Sequence, residues 1–200
     1  RVVYASTMNR SALENRLQRG MSQKDEQMAV LVQRVSGSYF GHWFLPGAAG
    51  VGYSHSAYQW RRDMDPDAGM LRLVMGLGTR AVDRTGEDYP RLANLDRPAV
   101  TASATLADKH RFSQRYVDVL DCQENRLREL PLDQLLPSLP LWYRRIVMER
   151  DREAEASLRE RGAFREVWFA NCQALLENRT FTGLMQQILK TLERVYGNPV

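Results

Sequence analysis

Gln33 and Arg34 are the residues whose types and position most directly suggest chemistry. They stand in the stretch MAVLVQRVSG, residues 28–37, whose first five residues are all apolar. A buried amide costs free energy unless a partner satisfies its donor and acceptor, and a bound ligand is one such partner. The pattern indicates either a ligand-binding strand or a core amide beside a surface arginine, and the residues alone leave both interpretations open.

Other candidate residues are weaker. The three histidines, His42, His55 and His110, have no metal-ligand spacing and no catalytic partner in the sequence, so we predict that none is catalytic. The glycines of GAAGVG (47–52) and GLG (76–78) match no phosphate-loop spacing and, taken alone, indicate turns. The alternating carboxylates of DMDPDAG (63–69) contain a proline and lack a distal glutamate, which predicts an Asp-held turn rather than a calcium site.

The composition is that of a soluble globular protein. The net charge of +4 comes from arginines that are dispersed among acids, so we expect no nucleic-acid partner. No apolar run approaches the roughly 20 residues of a membrane span, and no signal peptide begins the chain. Cys122 and Cys172 lack a metal or disulfide spacing and are predicted to be buried free thiols. We expect a cytoplasmic protein of which this chain is a piece.

Hydrophobic periodicity predicts the elements that would position these residues. An amphipathic helix is expected within residues 6–20, a strand apolar on both faces at 28–35, and a period-2 segment at 51–56. Further strands are expected within 70–78 and 114–121.

The second half of the chain is predicted to be mainly helical. A Pro- and Leu-rich connector at 130–142 precedes one charged helix at 142–162, in which Glu155 and Arg159 pair. A short strand at 165–169 and a helix at 180–197 follow, the helix with a threonine cap and with Leu184, Ile188, Leu192 and Val195 on one side. Strands precede helices rather than alternating with them, which favours an α+β fold.

Four stretches taken in order carry a family resemblance. They are MAVLVQRV (28–35), AGVGYS (49–54), MLRLVMGLGTRAVDR (70–84) and LERVYGNPV (192–200). They resemble the ATP-binding domain of phosphoenolpyruvate synthases and pyruvate phosphate dikinases, an ATP-grasp type domain often labelled the PEP/pyruvate-binding domain. In that family a strand M-A-V-x-V-Q-x-M-V lines the nucleotide cleft, a later strand ends in G-L-G-E, and a helix ends in Y-G-x-P. The match covers residues 22–84 and 180–200.

The resemblance implies a fold. It is an α+β, ATP-grasp-like nucleotide lobe with mostly antiparallel sheet and packed helices, incomplete at both ends. Within one such domain we expect a strand-rich nucleotide lobe at 1–121, a connector at 122–141 and a mainly helical segment at 142–200.

The resemblance also assigns candidate site residues. It places Gln33, Arg34 and Val35 at the nucleotide, with the Gln33 amide at the adenine. The sequence departs from the family after Gly78, where Thr79 and Arg80 replace the usual glutamate. The candidates for residues near the phosphates or the metal are then Arg80, Asp83 and Arg84. Among them, Asp83 is the acid that would substitute for the missing glutamate. No catalytic residue and no metal ligand is assigned.

The implied activity is that of a dikinase-type phosphotransferase. The parent protein would use ATP and Mg²⁺ to phosphorylate a histidine on a carrier domain, and then pyruvate on a PEP/pyruvate domain. The alternative is a module that senses ATP without phosphotransferase activity. We expect the isolated chain to be inactive, because the family's metal-binding glutamate (in D-I-E-F) and its phosphate-binding lobe are expected outside it.

Overall fold

The computed structural model describes residues 2–25, 29–82, 88–103 and 105–200, which divide into two units after Val35. The described part of the first unit contains helices α1 (Val2–Ser6) and α2 (Arg10–Gln18). Asn9 caps α2, because its side-chain oxygen accepts a hydrogen bond from the Ala12 N–H at 2.8 Å. The helix predicted within residues 6–20 is confirmed over α2.

The segment after α2 corrects the sequence analysis. Met28 lies outside the described residues, and residues 29–37 form neither strand nor helix. Their apolar side chains are exposed, and Val32 keeps 88% of its accessible surface. An apolar stretch becomes a strand only where a neighbouring strand satisfies its backbone hydrogen bonds, and no described strand pairs with this one. The strand predicted at 28–35 is therefore wrong over its described residues.

The second unit is α+β, and the strand pairs among its described residues are antiparallel. Its strands are β1 (Ser38–Phe40), β2 (Trp43–Leu45), β3 (Ala49–Tyr53), β4 (Met70–Val74), β5 (Arg91–Asn94), β6 (Tyr116–Asp121), β7 (Arg126–Pro131), β8 (Met148–Arg150) and β9 (Trp168–Ala170). They form sheets in the orders β1-β2-β6-β7, β3-β4-β5 and β8-β9. The predicted class, α+β with mostly antiparallel sheet and packed helices, is confirmed.

Short helices connect the strands and cover the sheets. The helices of this unit are α3 (Leu106–Arg111), α4 (Leu132–Leu135), α5 (Leu141–Val147), α6 (Arg152–Glu160), α7 (Gln173–Glu177) and α8 (Arg179–Tyr196). One apolar core joins sheets and helices, and Met75, Val117, Leu135, Val147 and Leu176 are all within it. Residues 122–141, predicted to be a connector, contain β7 and α4, and the division at 121 and 141 stays a prediction.

Small residues let β3 approach its neighbours closely. Each of its residues pairs with β4, from Ala49 opposite Val74 to Tyr53 opposite Met70. A Cβ on Gly52 would lie 3.0 Å from a methyl group of Leu189 in α8, so the helix packs directly over the strand. The space beside Gly50 and Gly52 is thus occupied by the backbone and side chains of this chain.

The charged stretch 142–162 is not one helix. It forms most of α5, then β8, then α6, and Asp151 caps α6 by accepting a hydrogen bond from the Ala154 N–H at 2.8 Å. β8 interrupts the helical pattern because it pairs with β9, and tertiary pairing overrides the weak local propensity.

Glu155 is buried and does not form the predicted pair with Arg159. Its two oxygens accept hydrogen bonds from Arg150 Nε and Nη2 at 2.9 and 2.7 Å, and one also accepts the Val167 N–H at 3.0 Å. The bond from Arg150 lowers the pKa of Glu155 below its ordinary value, although burial acts in the opposite direction. The carboxylate therefore fastens α6 to β8 in its charged form.

We expect Glu155→Gln to lower the free energy of unfolding by about 1.5–3 kcal/mol near pH 7, because a charge-assisted bidentate pair is lost. The pKa of Glu155 is lower in the folded than in the unfolded state, so this stability is present above the unfolded pKa and is lost as pH falls through the folded pKa. Denaturant unfolding should therefore show a difference from the unchanged protein that shrinks below pH 4.5, the ordinary pKa of the group. Glu153→Gln, on the exposed side of α6, is the control, and a pH-independent loss for Glu155→Gln would contradict the prediction.

The final helix is confirmed as α8, with a different cap from the one predicted. Asn178, rather than a threonine, accepts two backbone N–H groups of the first turn, and Gly197 ends the helix with a φ of 68°. Leu189 of α8 is buried in the core, whereas Ile188 and Leu192 remain 42% and 39% exposed. The position of the sheet, rather than the apolar pattern alone, decides which side of α8 is covered.

Candidate functional site

The GLG turn that follows β4 is held against β6. Gly76 has a φ of 86°, and a Cβ at this position would lie 2.6 Å from the carbonyl oxygen of Asp118. The Leu77 N–H donates a hydrogen bond to the same oxygen at 2.9 Å. Glycine alone tolerates both this φ and this approach, so the turn positions the 3-10 segment Gly78–Ala81 that carries Thr79 and Arg80.

Arg80 is a buried cation surrounded by three carboxylates. Its Nε donates to Asp118 at 3.1 Å, its Nη1 to Asp88 at 2.6 Å, and its Nη2 to Glu129. Burial by itself would lower the pKa of Arg80, but the carboxylates of Asp118 and Asp88 raise it above the ordinary value. The guanidinium is therefore permanently charged and is the common counter-ion of the three acids.

The sheet register explains why a cation is needed at this place. Asp118 of β6 and Glu129 of β7 are directly opposite each other in the antiparallel pair. Like charges at opposed positions destabilise a sheet, and Arg80 bonds to both carboxylates. The Thr79 hydroxyl adds a hydrogen bond to Asp118 at 2.5 Å. We name these side chains, Arg80 with Asp88, Asp118 and Glu129, the Arg80 cluster.

This arrangement bears on the residues that were predicted near phosphate or metal. Arg80 directs its guanidinium at carboxylates, so a phosphate would have to replace one of them. Asp83 and Arg84 lie outside the described residues. The assignment of all three to a phosphate or metal vicinity stays a prediction.

A cleft of about 920 Å³ opens beside the Arg80 cluster. The charged residues that line it are Arg80, Arg111 and Arg115, with Asp88, Glu129, Asp133 and Asp151. Because acidic and basic groups are mixed in this lining, the cleft does not present the positive field that a triphosphate requires.

His110 and Asp151 form a hydrogen-bonded pair on the wall of the same cleft. His110 Nδ1 lies 2.7 Å from an oxygen of the buried Asp151 carboxylate. A carboxylate only accepts, so Nδ1 carries the proton and Nε2 of a neutral ring is left as the acceptor. The imidazole also stacks on Phe169 at 5.0 Å, which fixes its orientation.

Sequence reasoning missed this pair, because its members are separated by 41 positions and no local motif joins them. The other two histidines are placed differently: His55 bonds to Asp67 at 2.8 Å in an exposed pair, and His42 packs against Trp43. A polar Asp118 between two buried valines of β6 is the one local sign of the Arg80 cluster that sequence reasoning missed.

The residues predicted to contact nucleotide lie at the end of the first unit. Gln33, Arg34 and Val35 are exposed and belong to no strand, so the interpretation of Gln33 as a core amide does not apply. An exposed amide keeps both its donor and its acceptor available. Their role at a nucleotide stays a prediction.

A metal site is not formed within the described ranges. No group of three or more His, Cys, Asp or Glu side chains in this part of the chain could hold a metal ion. The carboxylates of the Arg80 cluster are already bonded to the guanidinium. The described residues therefore do not fit a magnesium ion.

Comparison with known protein families identifies an AMP/ATP-binding domain. The model of the family "Pyruvate phosphate dikinase, AMP/ATP-binding domain" matches residues 1–200, which is the whole chain. The chain belongs to this family, and the resemblance seen in the sequence is confirmed. Comparison with curated proteins and with solved structures gives no significant match.

The helices of the described ranges were also compared with the requirements of a membrane span. None of them combines the length and the apolar character needed to cross a bilayer.

Proposed function

We propose that this chain is the ATP-binding portion of a dikinase-type phosphotransferase of the phosphoenolpyruvate synthase and pyruvate phosphate dikinase class. In this proposal the natural protein uses ATP to phosphorylate a carrier histidine and then pyruvate, and it acts in the cytoplasm. The observation that carries the proposal is the family match over residues 1–200. The antiparallel α+β fold supports an ATP-grasp arrangement of the nucleotide lobe.

The adenine is assigned to Gln33, with Arg34 and Val35 beside it. The amide of Gln33 offers one donor group and one acceptor, which is what the edge of an adenine ring requires. Arg80, Asp83 and Arg84 remain candidates for the phosphate or metal vicinity. Magnesium accompanies ATP in the proposal, and no step is assigned to it because the described residues form no site for it.

Phosphoryl transfer in the natural-length protein is the direct test. Incubation with ATP labelled in its β- and γ-phosphates should leave acid-labile, base-stable label on a histidine, and pyruvate should remove that label. The partner groups, a phosphohistidine carrier domain and a PEP/pyruvate domain, are part of the proposal and would be identified by where the label resides. ATP binding without any protein-bound label would overturn the phosphotransferase and favour the alternative.

The alternative function is an ATP-sensing or binding module without phosphotransferase activity. Two features favour it: Thr79 and Arg80 stand where the family has a glutamate, and Arg80 is occupied by carboxylates. A sensor would bind ATP reversibly and change its unfolding temperature with nucleotide concentration, with no turnover.

Gln33→Leu should weaken ATP binding about 5- to 150-fold, the equivalent of about 1–3 kcal/mol for leaving adenine groups without their partner. Because Gln33 is exposed and belongs to no strand, the melting temperature should not change. Calorimetric titration of the natural-length protein with ATP measures the affinity, and a melting curve on the same sample checks the fold.

Gln23→Leu is the matched control for this variant. Gln23 is another exposed amide of the first unit, and its replacement should leave ATP affinity unchanged. Equal affinity of Gln33→Leu, Gln23→Leu and the unchanged protein would remove Gln33 from the adenine site.

A further inference from the structure

A small cavity of about 200 Å³ lies beside β5 and α3, and it shares Ser113 with the cleft beside the Arg80 cluster. Three of its walls are the aromatic side chains of Trp60, Tyr89 and Phe112. Tyr89 and Phe112 meet edge to face with their ring centroids 5.4 Å apart. The cavity is therefore shaped by rigid rings rather than by flexible side chains.

Arg91 lines this cavity and forms no ion pair with a described carboxylate, although the charge of Glu149 acts on it from beyond salt-bridge distance. Its guanidinium donates to the carbonyl oxygen of Leu92 at 2.7 Å and makes only long contacts, 3.3 to 3.5 Å, to three further neutral oxygens. Burial lowers the pKa of Arg91 to about 10, in contrast to Arg80, whose acids raise its pKa. A buried guanidinium without a directly bonded counter-ion is unfavourable, and an anion in the cavity would relieve that cost.

The other described residues that line the cavity also carry positive charge and no negative charge. Lys109 of α3 is a second, half-buried cation at the cavity and forms no ion pair with a described carboxylate. No aspartate or glutamate is present among the described lining residues. Two positive groups with no negative one set a field that attracts an anion.

Two buried N–H donors at the cavity also lack acceptors. Arg91 Nε and the indole Nε1 of Trp60 are both shielded from solvent and have no hydrogen-bond partner in the described part of the chain. Buried donors are almost always satisfied, so donors of two different residues at one cavity indicate a missing acceptor. An oxyanion supplies several acceptor oxygens at once and also the missing negative charge.

We propose that this cavity binds a small oxyanion, a carboxylate or a phosphate, held by Arg91, Lys109 and the indole N–H of Trp60. The aromatic walls favour an anion that carries a compact apolar or ring-shaped body. The volume is below the roughly 300 Å³ at which pockets for drug-sized ligands begin, so ATP does not fit. The proposal uses none of the residues assigned to the nucleotide, so it does not depend on that assignment.

Calorimetric titration of the natural-length protein tests the proposal with four probes. Benzoate represents the carboxylates, inorganic phosphate and phenyl phosphate represent the phosphates, and benzylamine has the shape of benzoate with the opposite charge. We expect saturable binding of at least one anion, no binding of benzylamine, and no competition by ATP. Binding of benzoate would identify a carboxylate ligand, and binding of inorganic phosphate or phenyl phosphate would identify a phosphate ligand. No saturable binding of any anion would overturn the proposal, as would equal binding of benzylamine.

Two variants test whether the anion binds in this cavity, and a third is the control. Arg91→Met should lower the affinity for the anion by at least about tenfold, since a charge-assisted hydrogen bond is lost. Trp60→Phe keeps an aromatic side chain and leaves the charges unchanged, but it removes the indole N–H donor. It should lower the affinity for the anion by a smaller factor. Arg97→Met removes a partly exposed arginine that is paired with Asp63, and it should leave the affinity unchanged.

The melting temperature separates a binding role of Arg91 from a structural one. Because an uncompensated buried charge disappears, Arg91→Met should melt at the same temperature as the unchanged protein or higher. A lower melting temperature together with unchanged anion affinity would overturn the proposal. If Arg91→Met fails to fold, Trp60→Phe provides the test instead. An unchanged affinity of Trp60→Phe for the anion would then overturn the proposal. Displacement of the anion by ATP would identify the cavity with the nucleotide site and would overturn its separate assignment.

Discussion

Arg80→Met is expected to lower the free energy of unfolding by about 3–5 kcal/mol, the cost of removing one partner from a buried ion pair. The methionine keeps most of the volume of the side chain but leaves the acids of the Arg80 cluster without a cation. Asp88 is as buried as Arg80, with 6% of each side chain exposed, so solvent cannot compensate it. Asp118 and Glu129 would also face each other across β6 and β7 without the guanidinium that bonds to both. Denaturant unfolding of the purified protein measures the loss.

Arg97→Met is the matched control for this change. Arg97 pairs with Asp63, and the two side chains are 41% and 51% exposed, so the same substitution should cost at most about 1 kcal/mol. Asp118→Asn introduced together with Arg80→Met should recover part of the lost stability, because one of the uncompensated charges disappears. Equal losses in Arg80→Met and Arg97→Met would show that the Arg80 cluster contributes nothing beyond a surface pair.

Gly50→Ala is expected to destabilise the fold by about 3–4 kcal/mol through overpacking of β3 against β4. A Cβ at this position would lie 2.0 Å from the carbonyl oxygen of Arg72 and 3.0 Å from a methyl group of Leu73. The nearer atom belongs to the backbone, so the clash cannot be relieved by a change of rotamer. β3 would have to separate from β4, with loss of hydrogen bonds along the pair. Thermal and denaturant unfolding measure this effect.

Gly183→Ala is expected to have the opposite effect and to stabilise the fold. Gly183 is inside α8 and has nothing within 4 Å of the added methyl group. Alanine is the better helix residue by about 0.5–1 kcal/mol, so this variant should be more stable than the unchanged protein. Similar small effects for both glycines would contradict the close approach of the two strands at Gly50.

The Arg80 cluster connects the fold to the proposed function. Arg80 follows the position where the sequence resemblance leads us to expect a glutamate, and it bonds to carboxylates beside the end of β4 instead of presenting an open cation. If the protein transfers phosphoryl groups, Arg80 can neutralise a phosphate only when that phosphate replaces one of the carboxylates. Loss of stability in Arg80→Met, with ATP affinity retained in the folded fraction, would agree with this structural role.

The sequence by itself determined those elements whose signals are local. Alternating apolar residues and flanking glycines predicted β3, β4 and β6, and a 3.6-residue period between a polar cap and Gly197 predicted α8. The family was also recognisable from ordered short stretches, because these are read residue by residue along the chain. Each of these features depends on neighbours within a few positions.

Tertiary structure decided the features that need distant partners. Residues 29–35 form no strand despite the apolar run 29–32, because pairing is a property of two segments and not of one. Arg80 meets Glu129 from 49 positions away, and His110 meets Asp151 from 41. That Arg91 bonds to no described carboxylate is likewise visible only in the folded chain. Hydrogen bonds and ion pairs act over a few ångströms of space, so chain folding, rather than sequence distance, sets which groups are satisfied and which remain open to a ligand.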